Sequence, residues 1–307
     1  MMNFPRPLSP GDRVALVCPS SPLAPGALEA AIAAVAAMGL RPVVYPSCLR
    51  ENRLGYLAAP DAGRAADLNA AFADDAVRGV LCCRGGYGAA RLLPLLDFSL
   101  IAAHPKVFLG YSDVTALHTA ITRCCGFVTF HAPMPARWGE ADPYTLSQVR
   151  AALFGFPAGP LPLPDGTILT ALGAGRAQGP LTGGNLTLLA DSLGTPWELC
   201  TKGSLLFLED VDAPLHRIDA ALTALGHAGK LDSCAAILLG AFTNCGPGDA
   251  PVAEEPLPLA GILRHLLPPK TPILSGLPCG HTLPTMSLPL GACLAVDAGR
   301  GTLEVLS

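Results

Sequence analysis

Charge and aromatic rings are scarce in this chain. Charged side chains make up 14% of its 307 residues and aromatic ones 6%, against 50% hydrophobic residues. That balance excludes a disordered, solvating polymer and predicts a packed core, in a chain long enough for two domains. There is no basic cluster, and the formal net charge is −4. Nucleic acid and an anionic membrane are thereby excluded as main partners. No apolar run reaches the length of a membrane span. The Ala-rich stretch over 27–40 carries Glu29 and closes at Gly39, as a helix in water does. The opening MMNFPRPLSPGDRVALV lacks the basic-then-apolar order of a secretory signal, which predicts a cytoplasmic protein.

Other absences narrow the chemistry. The cysteines number eleven, an odd count, and two pairs are adjacent, Cys82–Cys83 and Cys124–Cys125. No CxxC spacing occurs, so neither a disulfide framework nor a zinc site is expected, and the thiols read as small core hydrophobes. Walker and G-x-G-x-x-G phosphate motifs are missing. So is the nucleophile-elbow pattern G-x-S-x-G.

What is present is an alternation of strand and helix signals through the first half. RVALV, RPVV, VRGVLCC, KVFLG and FVTFH read as five strands. The stretches between them read as helices over 26–39, 61–74 with Asp61 as cap, a short one in GAARLLPLL, and 114–124. That order predicts a parallel sheet covered by helices. Residues 154–175 are rich in Pro and Gly and read as a linker between an N-terminal domain over 1–153 and a C-terminal α/β domain over 176–307. In the latter SLLFLEDV and CAAILLGAF read as buried strands, NLTLLADSLG and HRIDAALTALGHAG as helices, and LAVDAGRGTLEVL as a hairpin.

Candidate chemistry gathers at strand ends, where open α/β sheets place their sites. In KVFLGYSDVTAL, Ser112 stands where a strand turns into a helix. A serine there either exposes its hydroxyl beside the donors of a helix start, as a nucleophile requires, or caps the helix with Asp113. On this stretch alone the cap is favoured, since position 114 is Val rather than Gly. Glu209 and Asp210 end an apolar strand, as a cap or as site residues. His281 follows a strand-like run and a Gly. His131 follows a strand and could line a cleft, whereas His104, His118, His227 and His265 read as packing or surface residues. The turn CRGGYG offers either a phosphate cradle or a backbone amide for an oxyanion at Gly86. Arg84 beside it is a strand-end surface charge or a partner for a substrate carboxylate. Asn185 is preferred as a helix cap.

Together GDRVALVCPSSP, RGGYGAARLLPLLDF, GYSDVTAL, GPLTGGNLTLL, LFLEDVDAPLHRIDAAL, AILLGAF and GHTLPTMSLPLGA resemble the serine LD-carboxypeptidases, the family of muramoyl-tetrapeptide carboxypeptidases and microcin C immunity peptidases. The RGGYG form and the short C-terminal half are closer to the murein-recycling members. The resemblance implies a glutamine-amidotransferase-like α/β domain followed by a swivelling β/β/α domain, and a homodimer. It implies Ser112 as nucleophile, His281 as base, Glu209 as its orienting carboxylate, and the backbone amides of Gly86 and Asp113 as oxyanion donors. No metal or organic cofactor is implied. The substrate implied is a small muropeptide ending in D-alanine. Two rivals stand beside it: a hydrolase of peptidyl-nucleotides, for which Trp138 or Trp197 would stack the base, and a non-catalytic phosphate or nucleotide binder.

Overall fold

Two β-sheets organise the chain, and each belongs to its own unit. The computed structural model of the protein describes residues 2–246 and 258–306. One unit comprises Met2–Pro157 and Leu283–Gly291, the other Ala158–Thr282 and Ala292–Ser307. In chain order the strands are β1 (Arg13–Val17), β2 (Arg41–Val44), β3 (Val77–Cys82), β4 (Val107–Gly110), β5 (Thr129–His131), β6 (Gly159–Pro160), β7 (Thr170–Gly173), β8 (Arg176–Asn185), β9 (Leu205–Val211), β10 (Ala236–Thr243), β11 (Ile273–Ser275), β12 (Leu288–Leu290), β13 (Cys293–Asp297) and β14 (Thr302–Val305).

The first unit is a six-stranded sheet in the order β12-β5-β4-β3-β1-β2. Strands β1 to β5 pair in parallel, and β12 closes one edge antiparallel to β5. Helices α1 (Ala27–Ala37), α2 (Asp61–Ala73), α3 (Phe98–Ala103), α4 (Thr115–Cys125) and α5 (Pro143–Phe154) accompany it. Strands covered on both faces must be apolar throughout, and all four residues of β4 and the last four of β1 are buried. GAARLLPLL forms a 3₁₀ helix over Ala89–Leu95 with Pro94 inside it, as expected where Pro removes a donor. Asp61 does not cap α2. Pro60 holds the cap position, and Asp61 pairs instead with Arg64 and Arg91.

The second unit is an eight-stranded mixed sheet in the order β6-β14-β13-β8-β9-β10-β11-β7. Its centre, β8 to β11, is parallel, while β13 and β14 form the hairpin that the sequence suggests. The Pro/Gly-rich stretch read as a linker contributes β6 and β7, the two edge strands of this sheet. A strand lacking donors at its prolines is tolerated at an edge, where one side needs no partner. Helices α6 (Leu186–Asp191) and α7 (Leu215–His227) cover one face. Leu206 and Leu208 of β9, Ile237 and Leu239 of β10, and Ile218 and Leu222 of α7 share that core. Among the described residues no helix is long and apolar enough to cross a membrane.

One glycine of β8 is demanded by sheet closeness. A Cβ on Gly183, whose φ is +126°, would strike the carbonyl oxygen of Phe207 on β9, backbone that has no room to give. Gly183→Ala should therefore destabilise the fold on the order of 3 kcal/mol, by strain and overpacking together. Gly203, also at positive φ but with nothing near its missing Cβ, should lose only about 1 kcal/mol as Ala. Chemical denaturation of the two variants checks the ranking; equal losses would contradict it.

Candidate active site

The loop after β4 holds the one non-glycine residue at positive φ among the described residues of the first unit. Ser112 has φ +64°, a left-handed conformation that non-glycine residues seldom adopt. Its neighbours enforce it. A Cβ on Gly110 would stand 2.8 Å from Val114 Cγ1 and 3.1 Å from Cys82 Cβ, so the strand can end there only as glycine. The Val114 amide donates back to the Tyr111 carbonyl (3.3 Å), closing the turn. The Asp113 side chain is buried and its Oδ2 accepts from the Ala89 amide (2.8 Å), tying the turn to the 3₁₀ helix of the neighbouring loop. Asp113 thus spends its carboxylate on a neighbouring loop, leaving its backbone amide beside Ser112.

His118, one helical turn further on in α4, holds the turn from behind. Its Nε2 donates to the Gly110 carbonyl (2.9 Å), and its Nδ1 accepts from Thr129 Oγ1 (2.8 Å). The carbonyl can only accept, which fixes the neutral Nε2–H tautomer. Burial drives the His118 pKa down to about 4, against the opposing pull of the Gly110 carbonyl. His131 is also buried, edge-on to the Tyr111 ring at 5.9 Å.

The Gly turn presses directly on Ser112. A Cβ on Gly85 would lie 3.0 Å from Ser112 Cβ, 3.1 Å from its Oγ and 3.4 Å from the Asp113 amide nitrogen. Gly86, at φ +105°, is packed so tightly on Ser21 that a Cβ would collide with the Ser21 hydroxyl. The Ser21 amide donates to the Gly85 carbonyl (3.2 Å), and Ser21 Oγ accepts from the Tyr87 amide (3.2 Å). Arg64, fully buried in α2, ties the same two loops together by donating to the carbonyls of Pro19 and Gly88. Its charge is opposed by desolvation and supported by Asp61. Arg84 is exposed, and its guanidinium donates to the Pro22 carbonyl.

In the second unit Glu209 and Asp210 diverge because strand side chains alternate. Asp210 lies on the α6 side, where it accepts from Asn185 Nδ2 (2.9 Å), the Thr187 amide (3.0 Å) and Thr187 Oγ1 (2.7 Å). Asn185 caps α6 by accepting from the Leu188 amide (3.2 Å). Glu209 points to the opposite face, fully buried, and its Oε2 meets His281 Nδ1 at 2.8 Å. Gly280, at φ +115°, permits this approach: a Cβ there would lie 2.6 Å from Glu209 Oε2. Thr243 Oγ1 donates to the His281 carbonyl (2.8 Å) and fixes the backbone. The imidazole is 18% exposed, so a buried carboxylate grips one nitrogen while the ring still reaches the surface.

The structure therefore brings Ser112, Gly86 and Asp113 to neighbouring loops of one unit, and pairs Glu209 with His281 in the other. Ser21, Arg64, His118 and Thr243 are positioning residues that motif reading missed. They act through backbone carbonyls and amides, which leave no spacing in the sequence.

Residues 14–132 match the LD-carboxypeptidase N-terminal domain and residues 178–296 the LD-carboxypeptidase C-terminal domain. The chain belongs to the LD-carboxypeptidase family and is a peptidase. It is 40% identical to a Bacillus subtilis protein named "Probable murein peptide carboxypeptidase", over 99% of this chain and 95% of that one. It is 32% identical to the "Murein tetrapeptide carboxypeptidase" of Pseudomonas aeruginosa, over 94% of each. The solved muramoyltetrapeptide carboxypeptidase from Oxalobacter formigenes superposes with a TM-score of 0.80 at 28% identity, covering 95% of this chain and 97% of that one. The microcin C7 self immunity protein MccF shares the fold, with a TM-score of 0.86 at 24% identity over 99% and 98% of the two chains.

His118 gives a pH test of this architecture. Its folded pKa of about 4 lies below the ordinary 6.5, so below pH 6.5 the unfolded chain takes up a proton that the native state refuses. Native stability should fall as the pH drops from 6.5 to about 4, by about 3 kcal/mol from this residue, and be unaffected by it above 6.5. His118→Gln should remove that part of the slope in urea titrations across the window. A constant difference between the two proteins would show that His118 is not held neutral.

Proposed function

We propose that this peptidase is a serine-type LD-carboxypeptidase that removes the terminal D-alanine from muropeptide tetrapeptides in the cytoplasm, as part of peptidoglycan recycling. The observation that carries the reading is Ser112 in a left-handed turn at the carboxyl end of β4, pressed against Gly85 of the glycine turn. The names of the Bacillus and Pseudomonas relatives supply the substrate class.

In this mechanism Ser112 Oγ attacks the amide carbon before the terminal residue. Nε2 of His281, the nitrogen not engaged by Glu209, takes the hydroxyl proton. Glu209 orients the ring and stabilises the imidazolium. The backbone N–H groups of Gly86 and Asp113 receive the negative charge that builds on the substrate oxygen. His281 then protonates the departing D-alanine amine. Water, activated by the same histidine, hydrolyses the ester and frees Ser112. Arg84 supplies a positive charge for the terminal carboxylate. The functional assembly is a homodimer, and neither metal nor organic cofactor takes part.

The peptidyl-nucleotide alternative loses one of its two stacking candidates. Trp138 is buried, with its indole N–H donated to the Pro133 carbonyl (2.8 Å).

The test is a paired assay by mass spectrometry. A tetrapeptide ending in D-alanine should be trimmed, and the same peptide ending in L-alanine should react some ten- to a few-hundred-fold more slowly, the range that one misplaced methyl group commands. Equal rates would overturn the stereospecific reading. Release of the amino acid from an aminoacyl sulfamoyl nucleotide, with the tetrapeptide left intact, would favour the microcin-type alternative. Ser112→Ala should abolish turnover while keeping its melting temperature. Glu209→Gln should lose roughly a hundredfold or more; unchanged kinetics in either variant would contradict the role given to that residue.

A further inference from the structure

Three cysteines that the proposed mechanism does not use converge at one end of the first sheet. Cys18 follows β1, Cys48 lies in the 3₁₀ turn Pro46–Cys48 after β2, and Cys83 follows β3. Because β3, β1 and β2 are adjacent and parallel, their carboxyl ends deliver the three thiols to one spot. The sulfurs all lie within 4.8 Å of one another, and all three residues are buried. We propose that Cys18, Cys48 and Cys83 form a three-thiolate site for a soft, trivalent, three-coordinate centre of the arsenic(III) or antimony(III) class.

Geometry favours three ligands. A three-coordinate centre of this class keeps a lone pair and is pyramidal, so sulfurs at about 2.3 Å from it form a triangle with edges of about 3.5 Å, and the cluster, with its sulfurs already within 4.8 Å of one another, has only to contract. A structural zinc would want a fourth ligand, and among the described residues no His, Asp or Glu joins these three. The backbone around the cluster is already fixed. The Cys18 amide donates to Ser47 Oγ (3.0 Å), the Ser47 amide to Asp67 Oδ2 (2.6 Å), and the Cys83 amide to the Val17 carbonyl (2.9 Å). Two of the thiols have a backbone acceptor to give up, Cys48 the Leu16 carbonyl at 3.2 Å and Cys83 the Leu81 carbonyl at 4.0 Å.

Charge favours a trivalent element. Arsenous acid, As(OH)3, condenses with three thiols to give As(SR)3 and three waters. Each As–O bond is replaced by an As–S bond, each thiol proton leaves with a hydroxide, and no electron is transferred. The adduct is neutral, whereas a divalent cation on three thiolates would leave a net negative charge in a buried site, which is costly.

The experiment uses reduced, metal-free protein carrying Cys124→Ser and Cys200→Ser, which removes the two exposed thiols. With arsenite, native mass spectrometry should show one arsenic per chain with loss of three protons, and the melting temperature should rise. Cys18→Ala, Cys48→Ala and Cys83→Ala should each weaken binding by more than about a hundredfold, beyond what loss of a supporting contact costs. If any of these fails to fold, arsenic X-ray absorption on the protein with its triad intact decides, and three sulfur neighbours are expected. No adduct, an adduct that keeps two of the three protons, fewer than three sulfur neighbours, or full binding after loss of Cys48 would each overturn the proposal.

Discussion

The left-handed turn at Ser112 is the constraint on which the first unit's loops depend. A side chain at φ +64° is held there at a cost of order 1 kcal/mol or more, and it persists only because the surroundings leave no alternative. Gly110 has no space for a Cβ, Asp113 is tied to Ala89, and His118 grips the Gly110 carbonyl. The strained residue is also the one whose hydroxyl faces the glycine turn. Strain at such a position marks where a fold has given up local stability for a fixed side-chain direction.

The loops around that turn are joined by polar groups in the interior rather than by apolar packing alone. Buried Arg64 donates to carbonyls of two loops and to Asp61, and Ser21 joins the same two loops with its amide and hydroxyl. A buried guanidinium is tolerated when its donors are satisfied and its charge is paired. The second unit solves a related problem by strand alternation. Asp210 saturates its oxygens on Asn185, Thr187 and the start of α6, while Glu209 one residue earlier faces His281 from the other side of the sheet. Two adjacent carboxylates thereby take different roles, one holding a helix and the other a histidine.

The five parallel strands and the β13–β14 hairpin were legible because period and turn chemistry act over a few residues. Residue type and strand-end position also pointed to Ser112, Glu209 and His281, but left each with a structural alternative; the motif resemblance weighted them. Other features are written in no local pattern. Asp61 looks like a cap by position, yet its carboxylate is drawn to Arg64 and to Arg91, 30 residues away. The Pro/Gly-rich stretch looks like a connection, yet it edges the second sheet, because an edge strand tolerates what a central one cannot. The Cys18–Cys48–Cys83 cluster escaped the spacing rules because its thiols come from the segments after three different strands and not from one loop.

A serine-reactive fluorophosphonate tests most directly the proposed role of Ser112 as the attacking group. One label per chain is expected, mapped by peptide mass spectrometry to Ser112, with release of D-alanine lost in proportion to labelling. Complete inactivation with the label on another residue, or full activity with Ser112 labelled, would contradict it.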